Sequence, residues 1–207
     1  MIPASLLNGL RDATRVLAVS HVKPDGDAIG SLLALGHMLG ALGKSSVLSL
    51  NDPVPAIYRS LPGADAIVGP QRDAAGFDAV IALDCSSVDR LGRAYGAAFA
   101  HLPLLVIDHH ITNDRFGTIN WVAPECAATS QMLLLLADAL GVTIDQPMAQ
   151  CLLTGLVTDT LCFRTNNTTA AVLAAGMRLL EAGGNLTTIT ENILEQRSFN
   201  VVRLWGT

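Results

Sequence analysis

Two short apolar runs that end directly in an acidic residue constrain the fold of this chain most. Residues 80–83 are followed by Asp84, and residues 104–107 are followed by Asp108. Short continuous apolar runs are typical of strands that are buried on both faces of a parallel sheet. The acidic residues therefore lie at the carboxyl ends of strands, where open α/β sheets place their binding sites.

Apolar runs alternate with amphipathic segments through the first half of the chain. Residues 29–42 are predicted to form a helix that ends at Gly43, and residues 89–99 are predicted to form another. The predicted strands are residues 16–19, 46–50, 65–68, 77–83 and 104–107. Strands joined through helices are normally parallel, with right-handed connections. We therefore predict the α/β class, with a parallel β-sheet flanked by helices on both faces in a Rossmann-like arrangement.

From Ala127 onward the pattern becomes helical. The predicted helices are residues 127–140, 146–157, 168–182 and 187–204. Thr168 or Thr169 is predicted to cap the third of these helices, and Gly183 and Gly184 to end it. We place one domain at residues 1–185 and a linker helix at residues 186–207. Apolar residues late in that helix have no following element to cover them, which indicates a domain cut from a longer protein; the alternative is a terminal helix that docks on its own core.

Composition and charge argue against several classes of protein. The 207 residues carry a net charge of −5, which argues against capture of duplex nucleic acid through a broad basic surface. A small anionic ligand held by metals and a few local cations remains compatible. The sequence shows no signal-peptide pattern and no apolar run long enough to span a membrane, so we predict a cytoplasmic protein without a membrane partner. The cysteines lack metal-type spacing and are predicted to be reduced structural thiols.

Four segments carry acidic and histidine side chains at the ends of predicted strands or helices. They are HVKPDGD at residues 21–27, ALD at residues 82–84, VIDHH at residues 106–110 and TDT at residues 158–160. Each segment alone has an ordinary structural explanation, because an Asp at the end of a strand is often a helix cap or a turn former. Converging carboxylates, however, repel one another unless cations are bound among them. The four segments together predict a metal centre.

The spacing within the first segment suits two metal ions. Asp25 and Asp27 are two residues apart in a predicted turn, so their carboxylates diverge toward different ions. Asp84 is a natural bridging carboxylate between the two ions, and His109 and Asp159 can complete the ligand set of the second ion. Imidazole and carboxylate ligands favour Mn²⁺, with Mg²⁺, Fe²⁺ or Co²⁺ as alternatives. Two ions about 3.5–4 Å apart acidify a bridging water, which predicts attack on phosphorus by metal-bound hydroxide.

These motifs resemble those of the DHH-family phosphoesterases of the DHH/DHHA1 superfamily, which are named for the sequence seen here at residues 108–110. The resemblance runs through the sequences SHVKPDGDAIGS, ALDCSS, VIDHH and GLVTDTLCFRTNNTT. It is strongest to the branch of nanoRNases and phosphoadenosine-phosphate phosphatases, some of which also hydrolyse cyclic dinucleotides or their linear products. In that branch a smaller C-terminal domain, DHHA1, follows. Nothing after Asn185 resembles it, so we expect the N-terminal DHH domain only.

The resemblance implies a role for each site residue. The metal ligands that it implies are His21, Asp25 and Asp84 for one ion, and Asp27, Asp84, His109 and Asp159 for the other. His110 resembles the histidine that contacts the scissile phosphate and stabilises its developing charge. Asp108 is expected to orient a neighbouring histidine by hydrogen bonding. The expected catalytic residues are therefore His110, Asp84 and Asp108.

Leu161 and Arg164, which follow Asp159, are relevant to substrate binding. Arg164 either reaches a substrate phosphate with its planar guanidinium or is an ordinary surface residue. Leu161 stands where the family commonly has glycine. A leucine at this position narrows or reshapes the pocket beside Asp159.

We therefore expect a metal-dependent hydrolase that acts on ester bonds in short single-stranded oligonucleotides or small nucleotides. The candidate substrates are nanoRNA, phosphoadenosine phosphate (pAp) and linear or cyclic dinucleotides. One alternative is an inorganic pyrophosphatase or polyphosphatase of the same superfamily, and another is a module that binds nucleotide without turning it over. The apolar helix at residues 130–140 either covers the sheet or forms the face of a homodimer, and core burial is the preferred interpretation.

Overall fold

The computed structural model describes residues 1–194, in which the strands form one parallel sheet. The strands are β1 (Arg15–Val19), β2 (Ser45–Ser49), β3 (Ala79–Leu83), β4 (Leu104–Asp108) and β5 (Ile119–Val122). Within the described residues they lie in the order β2-β1-β3-β4-β5, and each neighbouring pair is parallel. The predicted α/β class with a parallel sheet is confirmed. Because β1, β3 and β4 are neighbours, their carboxyl ends lie side by side.

Helices precede the sheet, connect its strands and follow it. They are α1 (Ala4–Asp12), α2 (Gly26–Ala41), α3 (Thr129–Leu140), α4 (Gln146–Asp159), α5 (Ala170–Glu181) and α6 (Leu186–Ile189). Thr169 caps α5 by accepting a hydrogen bond from the N–H of Val172, as predicted. In the described part of the chain, no helix combines the length and the apolar character that crossing a membrane needs.

One face of the sheet is covered by α2 and the helices around it. Helix α2 is buried on nearly all sides, because it packs against both the sheet and α4. The two helices approach closely at Gly30, where an added Cβ would lie 2.4 Å from the carbonyl oxygen of Cys151. Most of α3, including Leu133, Leu134 and Leu136, is likewise buried in this core, which agrees with the preferred interpretation of that apolar run.

The opposite face of the sheet is covered by shorter elements. Residues 89–99 were predicted to form one helix, but the chain forms two 3₁₀ helices instead, at Val88–Ala94 and Ala97–Phe99. Gly92, with φ 56° and ψ −135°, interrupts the first of them. Phe99 and Leu91 from these segments pack on the strands in a second apolar cluster.

The prediction of a strand at residues 65–68 is wrong. Ala64–Ala66 is a 3₁₀ helix, and Val68 alone pairs with Ser49 of the edge strand β2 in an isolated bridge. Val68 remains exposed. The segment therefore adds one bridge at the edge of the sheet and does not extend the sheet by a full strand.

Helix α1 and strand β5 were not predicted, and one predicted helix is only partly described. Helix α1 buries Leu6 and Leu10, which are four residues apart, and β5 buries Trp121 at the other edge of the sheet. The helix predicted at residues 187–204 corresponds to α6 and a following π-helical turn at Thr190–Leu194. The remainder of that prediction, residues 195–204, lies outside the described residues.

Candidate metal centre

The carboxyl edge of the sheet brings together the side chains that the sequence singled out. Asp84 directly follows β3, His109 directly follows β4, and His21 lies two residues beyond β1. Asp159 is the last residue of α4. These side chains meet because parallel strands present their carboxyl ends at the same edge of the sheet.

Asp25 and Asp27 belong to the start of α2, which corrects the sequence-based boundaries. The carboxylate of Asp25 caps the helix by accepting hydrogen bonds from the N–H groups of Asp27 and Ala28, each at 3.1 Å. The helix therefore begins at Gly26, three residues earlier than predicted. Asp27 lies in its first turn and is completely buried, whereas the sequence placed it in a turn.

Asp84 is the centre of the cluster. Its Oδ2 atom lies 3.6 Å from Nε2 of His21, and its Oδ1 atom lies 3.6 Å from Nε2 of His109. Only 2% of Asp84 is exposed, and its φ of 53° is in the left-handed region that residues other than glycine rarely adopt. Backbone conformations of this kind cost energy and concentrate at functional sites.

Three overlapping groups of possible metal ligands share this neighbourhood among the described residues. One consists of Asp84, His109 and His110, and the other two fall within the predicted ligand sets. In one of these two, Nε2 of His21 lies 3.8 Å from Oδ2 of Asp25, and Asp84 completes the group. In the other, Nε2 of His109 lies 3.1 Å from Oδ2 of Asp159 and 4.0 Å from Oδ2 of Asp27. Within each group the possible ligand atoms lie within 4.8 Å of one another. The side chains are therefore arranged suitably for two ions, and the division of these ligands between two ions remains a prediction.

The donor set fits divalent cations. Nε2 of His109 is buried and has no hydrogen-bond partner among the described residues, although carboxylates of Asp27, Asp84 and Asp159 surround it. A buried polar atom without a partner is costly. A cation that accepts this lone pair together with carboxylate oxygens would satisfy the atom and offset the charges.

The pKa shifts show how strongly these groups interact without a cation. Burial opposes protonation of His21, but the carboxylates of Asp25 and Asp84 outweigh it and raise the pKa of His21 to about 10. Burial likewise opposes protonation of His109, but Asp159, Asp27 and Asp84 raise its pKa to about 9. Burial and the neighbouring carboxylates also raise the pKa of Asp27. The raised pKa values favour the protonated imidazoles, whereas a cation binds the neutral ring, so metal binding would release protons.

A second set of contacts orders His110. Its Nδ1 atom lies 2.7 Å from Oδ1 of Asp108, and Oδ2 of Asp108 accepts a hydrogen bond from Nδ2 of Asn113 at 2.6 Å. The same amide donates to the carbonyl oxygen of Cys85 at 2.9 Å. Although burial favours the neutral form of Asp108, hydrogen bonds from His110 and Asn113 lower its pKa. Asp108 thus contacts a neighbouring histidine, and its role in orienting that ring for catalysis stays a prediction.

Sequence reasoning missed residues that hold the carboxylates in place. Asn113, which holds Asp108, lies three residues after His110, and that short spacing was its available signal. The other omitted group is the start of α3, where Thr129 and Ser130 contact Asp27. No local pattern marks these residues, because Thr129 is separated from Asp27 by 102 positions.

The turn after Asp159 has an unusual backbone. Leu161, Cys162 and Phe163 have φ values of 46°, 60° and 61°, all in the left-handed region. Arg164 follows them, is exposed, and donates a hydrogen bond from Nε to the carbonyl oxygen of Leu161 at 2.8 Å. The structure thus ties Arg164 to its own turn, and its contact with substrate remains a prediction.

Comparison with known proteins identifies related sequences and structures. The sequence model of the DHH family, N-terminal domain, matches residues 15–156. The chain is 39% identical over 191 residues to the bifunctional oligoribonuclease and PAP phosphatase NrnA of Thermus thermophilus, a match that covers 92% of this chain. It is 27% identical over 190 residues to the protein of the same name from Bacillus subtilis, covering 90% of this chain.

A solved structure shares the whole fold. The exopolyphosphatase-related protein from Bacteroides fragilis superimposes with a TM-score of 0.90 at 27% identity and covers 98% of this chain. The chain spans 57% and 58% of the lengths of the two NrnA relatives and 62% of the length of this structure. Each of these three proteins is therefore longer than its own segment that aligns with this chain.

Proposed function

The chain belongs to the DHH family, and on that premise we propose that it is a metal-dependent phosphoesterase acting on short oligonucleotides or small nucleotides. The observation that carries the proposal is the position of Asp84, with its two oxygens each 3.6 Å from a different histidine, His21 and His109. A carboxylate that faces two ligand groups suits a bridging role in a two-ion site. The names of the NrnA relatives supply the substrate class.

We assign the metal ligands as the sequence predicted them. One ion is held by His21, Asp25 and Asp84, and the other by Asp27, Asp84, His109 and Asp159. When bound, two divalent cations lower the pKa of a water molecule and offset the charge on the phosphoryl oxygens. Imidazole and carboxylate donors favour Mn²⁺, with Mg²⁺, Co²⁺ and Fe²⁺ as alternatives.

His110 supplies a hydrogen-bond donor beside these ligands, and Asp108 favours the positively charged form of its ring. The Asp108 carboxylate raises the pKa of His110. Because Nδ1 faces Asp108, Nε2 is left to donate to an oxygen of the scissile phosphate. A donor held in place before the reaction stabilises the charge that develops on that oxygen.

The remaining predictions concern the surroundings of the site. We propose that Arg164 contacts a substrate phosphate after its bond to Leu161 is released, and that the Leu161 side chain shapes the pocket beside Asp159. The division of the chain at residue 185, the cytoplasmic location and a homodimer stay predictions.

The direct test is release of mononucleotide from an RNA dinucleotide in the presence of Mn²⁺. We expect turnover by the wild-type chain and its loss in Asp84→Asn, which keeps the shape of the side chain but removes its charge. Phosphoadenosine phosphate, cyclic dinucleotides and inorganic pyrophosphate are assayed in parallel. Arg164→Ala is expected to raise KM for the nucleotide substrates.

Two results would contradict the proposal. Hydrolysis of pyrophosphate or polyphosphate without hydrolysis of any nucleotide would support the alternative suggested by the exopolyphosphatase-related neighbour. Nucleotide binding that persists in Asp84→Ala, with no turnover by the wild type, would support a binding module instead.

A further inference from the structure

Helix α3 begins without a side-chain cap of its own. Its N-cap residue, Ala128, has no side-chain acceptor for the first N–H groups of the helix. The Asp27 carboxylate, which belongs to α2, fills that place. Its Oδ2 accepts the N–H of Thr129 at 2.6 Å, and its Oδ1 accepts the N–H of Ser130 at 3.0 Å. A carboxylate at a helix N-terminus is stabilised by the free N–H groups and by the helix dipole.

The side chain of Thr129 makes a second contact, with a different carboxylate. Its Oγ1 donates a hydrogen bond to Oδ1 of Asp84 at 3.1 Å. Thr129, like Asp27, is completely buried. One residue therefore joins two carboxylates from different elements, through its N–H to Asp27 and through its hydroxyl to Asp84.

We propose that Thr129 is a positioning residue that fixes Asp27 and Asp84 relative to each other and thereby sets the affinity of the centre for divalent cations. This inference rests on the proposed function, in which both carboxylates are metal ligands. It adds a residue outside the four motifs.

The physical reason is preorganisation. A carboxylate oxygen can only accept, so the Thr129 hydroxyl must donate to Asp84, which confines the rotation of that carboxylate. Asp84 is then already placed toward His21 and His109, and less conformational freedom is lost when a cation binds. Groups that orient metal ligands by hydrogen bonding commonly change metal affinity by about 10–100-fold when they are removed.

The test compares Thr129→Val with Thr129→Ser. Valine keeps the branched shape and the backbone N–H that contacts Asp27 but removes the hydroxyl, whereas serine restores it. Thr154→Val is the matched control, because Thr154 is equally buried and its hydroxyl donates to the carbonyl oxygen of Gln150 within α4. The dissociation constant for Mn²⁺ is measured by calorimetry, and the visible absorption spectrum of bound Co²⁺ reports the ligand geometry.

We expect Thr129→Val to weaken Mn²⁺ binding by about tenfold or more and to change the Co²⁺ spectrum. Thr129→Ser and Thr154→Val should both stay within about threefold of the wild type, since neither removes the bond to Asp84. Thermal unfolding of the metal-free proteins shows whether each variant is folded. If Thr129→Val is unfolded, Thr129→Ala compared with Thr129→Ser gives the same contrast.

Wild-type affinity and an unchanged Co²⁺ spectrum in the folded Thr129→Val protein would overturn the inference while leaving the proposed function intact. A wild-type chain that binds neither Mn²⁺ nor Co²⁺ would overturn the proposed function, and the inference with it. The two failures are therefore distinguished by the wild-type titration alone.

Discussion

Nδ1 of His110 lies 2.7 Å from Oδ1 of Asp108, a residue that is completely buried at the end of β4. The hydrogen bond joins a partly exposed imidazole to an anion anchored in the sheet. It therefore fixes the ring of His110 and favours its protonated form.

Replacing Asp108 with Asn should lower the pKa of His110, because the neutral amide no longer stabilises the imidazolium. Turnover at neutral pH should fall by about 100-fold or more if His110 acts as the proposed donor. The pKa is measured by NMR titration of the His110 ring. Asn113→Ala, which leaves the Asp108 charge in place, should shift this pKa less. An Asp108→Asn protein in which His110 titrates as in the wild type would contradict the prediction.

The metal-free protein should lose stability as the pH rises above about 6.5. The folded state holds a proton on His21 up to a pKa of about 10, whereas an unfolded histidine releases it near pH 6.5. The resulting stabilisation is complete below the unfolded pKa and is lost as pH rises through the folded pKa.

The measurement is thermal unfolding against pH in a chelator. His21→Gln should remove part of the slope between pH 6.5 and 10, and the same slope in both proteins would refute the assignment to His21.

Gly155→Ala should destabilise the protein by about 1–3 kcal/mol. An added Cβ would lie 2.5 Å from Oδ1 of Asp27 and 2.7 Å from Oγ of Ser130, in a fully buried site. Gly40→Ala is the matched control, since nothing lies within 4 Å of a Cβ at that position of α2. The control should gain about 0.5–1 kcal/mol from the better helix propensity of alanine. Urea denaturation compares the two, and equal effects would contradict the predicted clash.

Leu161→Gly should leave the protein as stable as the wild type or stabilise it by up to about 1 kcal/mol. The φ of Leu161 is 46°, a conformation that costs a side-chain-bearing residue about 1–2 kcal/mol but that glycine adopts freely.

Leu173→Gly is the comparison, because Leu173 is similarly exposed but lies within α5. There glycine should cost about 1 kcal/mol. Chemical denaturation measures the free energy of unfolding of both variants. A similar loss of stability in each would show that the turn at Leu161 is not strained.

Much of the fold, and the position of the acidic and histidine side chains at the carboxyl edge of the sheet, followed from local sequence patterns. The run before Asp84 and the run before Asp108 predicted buried parallel strands, because hydrophobic patterning reports the burial of consecutive residues. Strand edges were less predictable. Residues 66–68 are apolar, yet the segment makes only an isolated bridge to β2 among the described residues. The short strand β5 was also missed, because pairing at an edge depends on which neighbour is available.

By itself, the sequence determined the parallel sheet and the acidic and histidine side chains at its carboxyl edge. Only the tertiary structure decided which groups hold them. Thr129 reaches Asp27 across 102 positions of the chain, and Gly155 leaves room for the side chains of Asp27 and Ser130. The packing of α2, α3 and α4 creates these contacts. The hydrophobic periodicity within one helix does not indicate which residues of another helix pack against it. Local pattern therefore predicted which side chains gather, while helix packing decided how they are held.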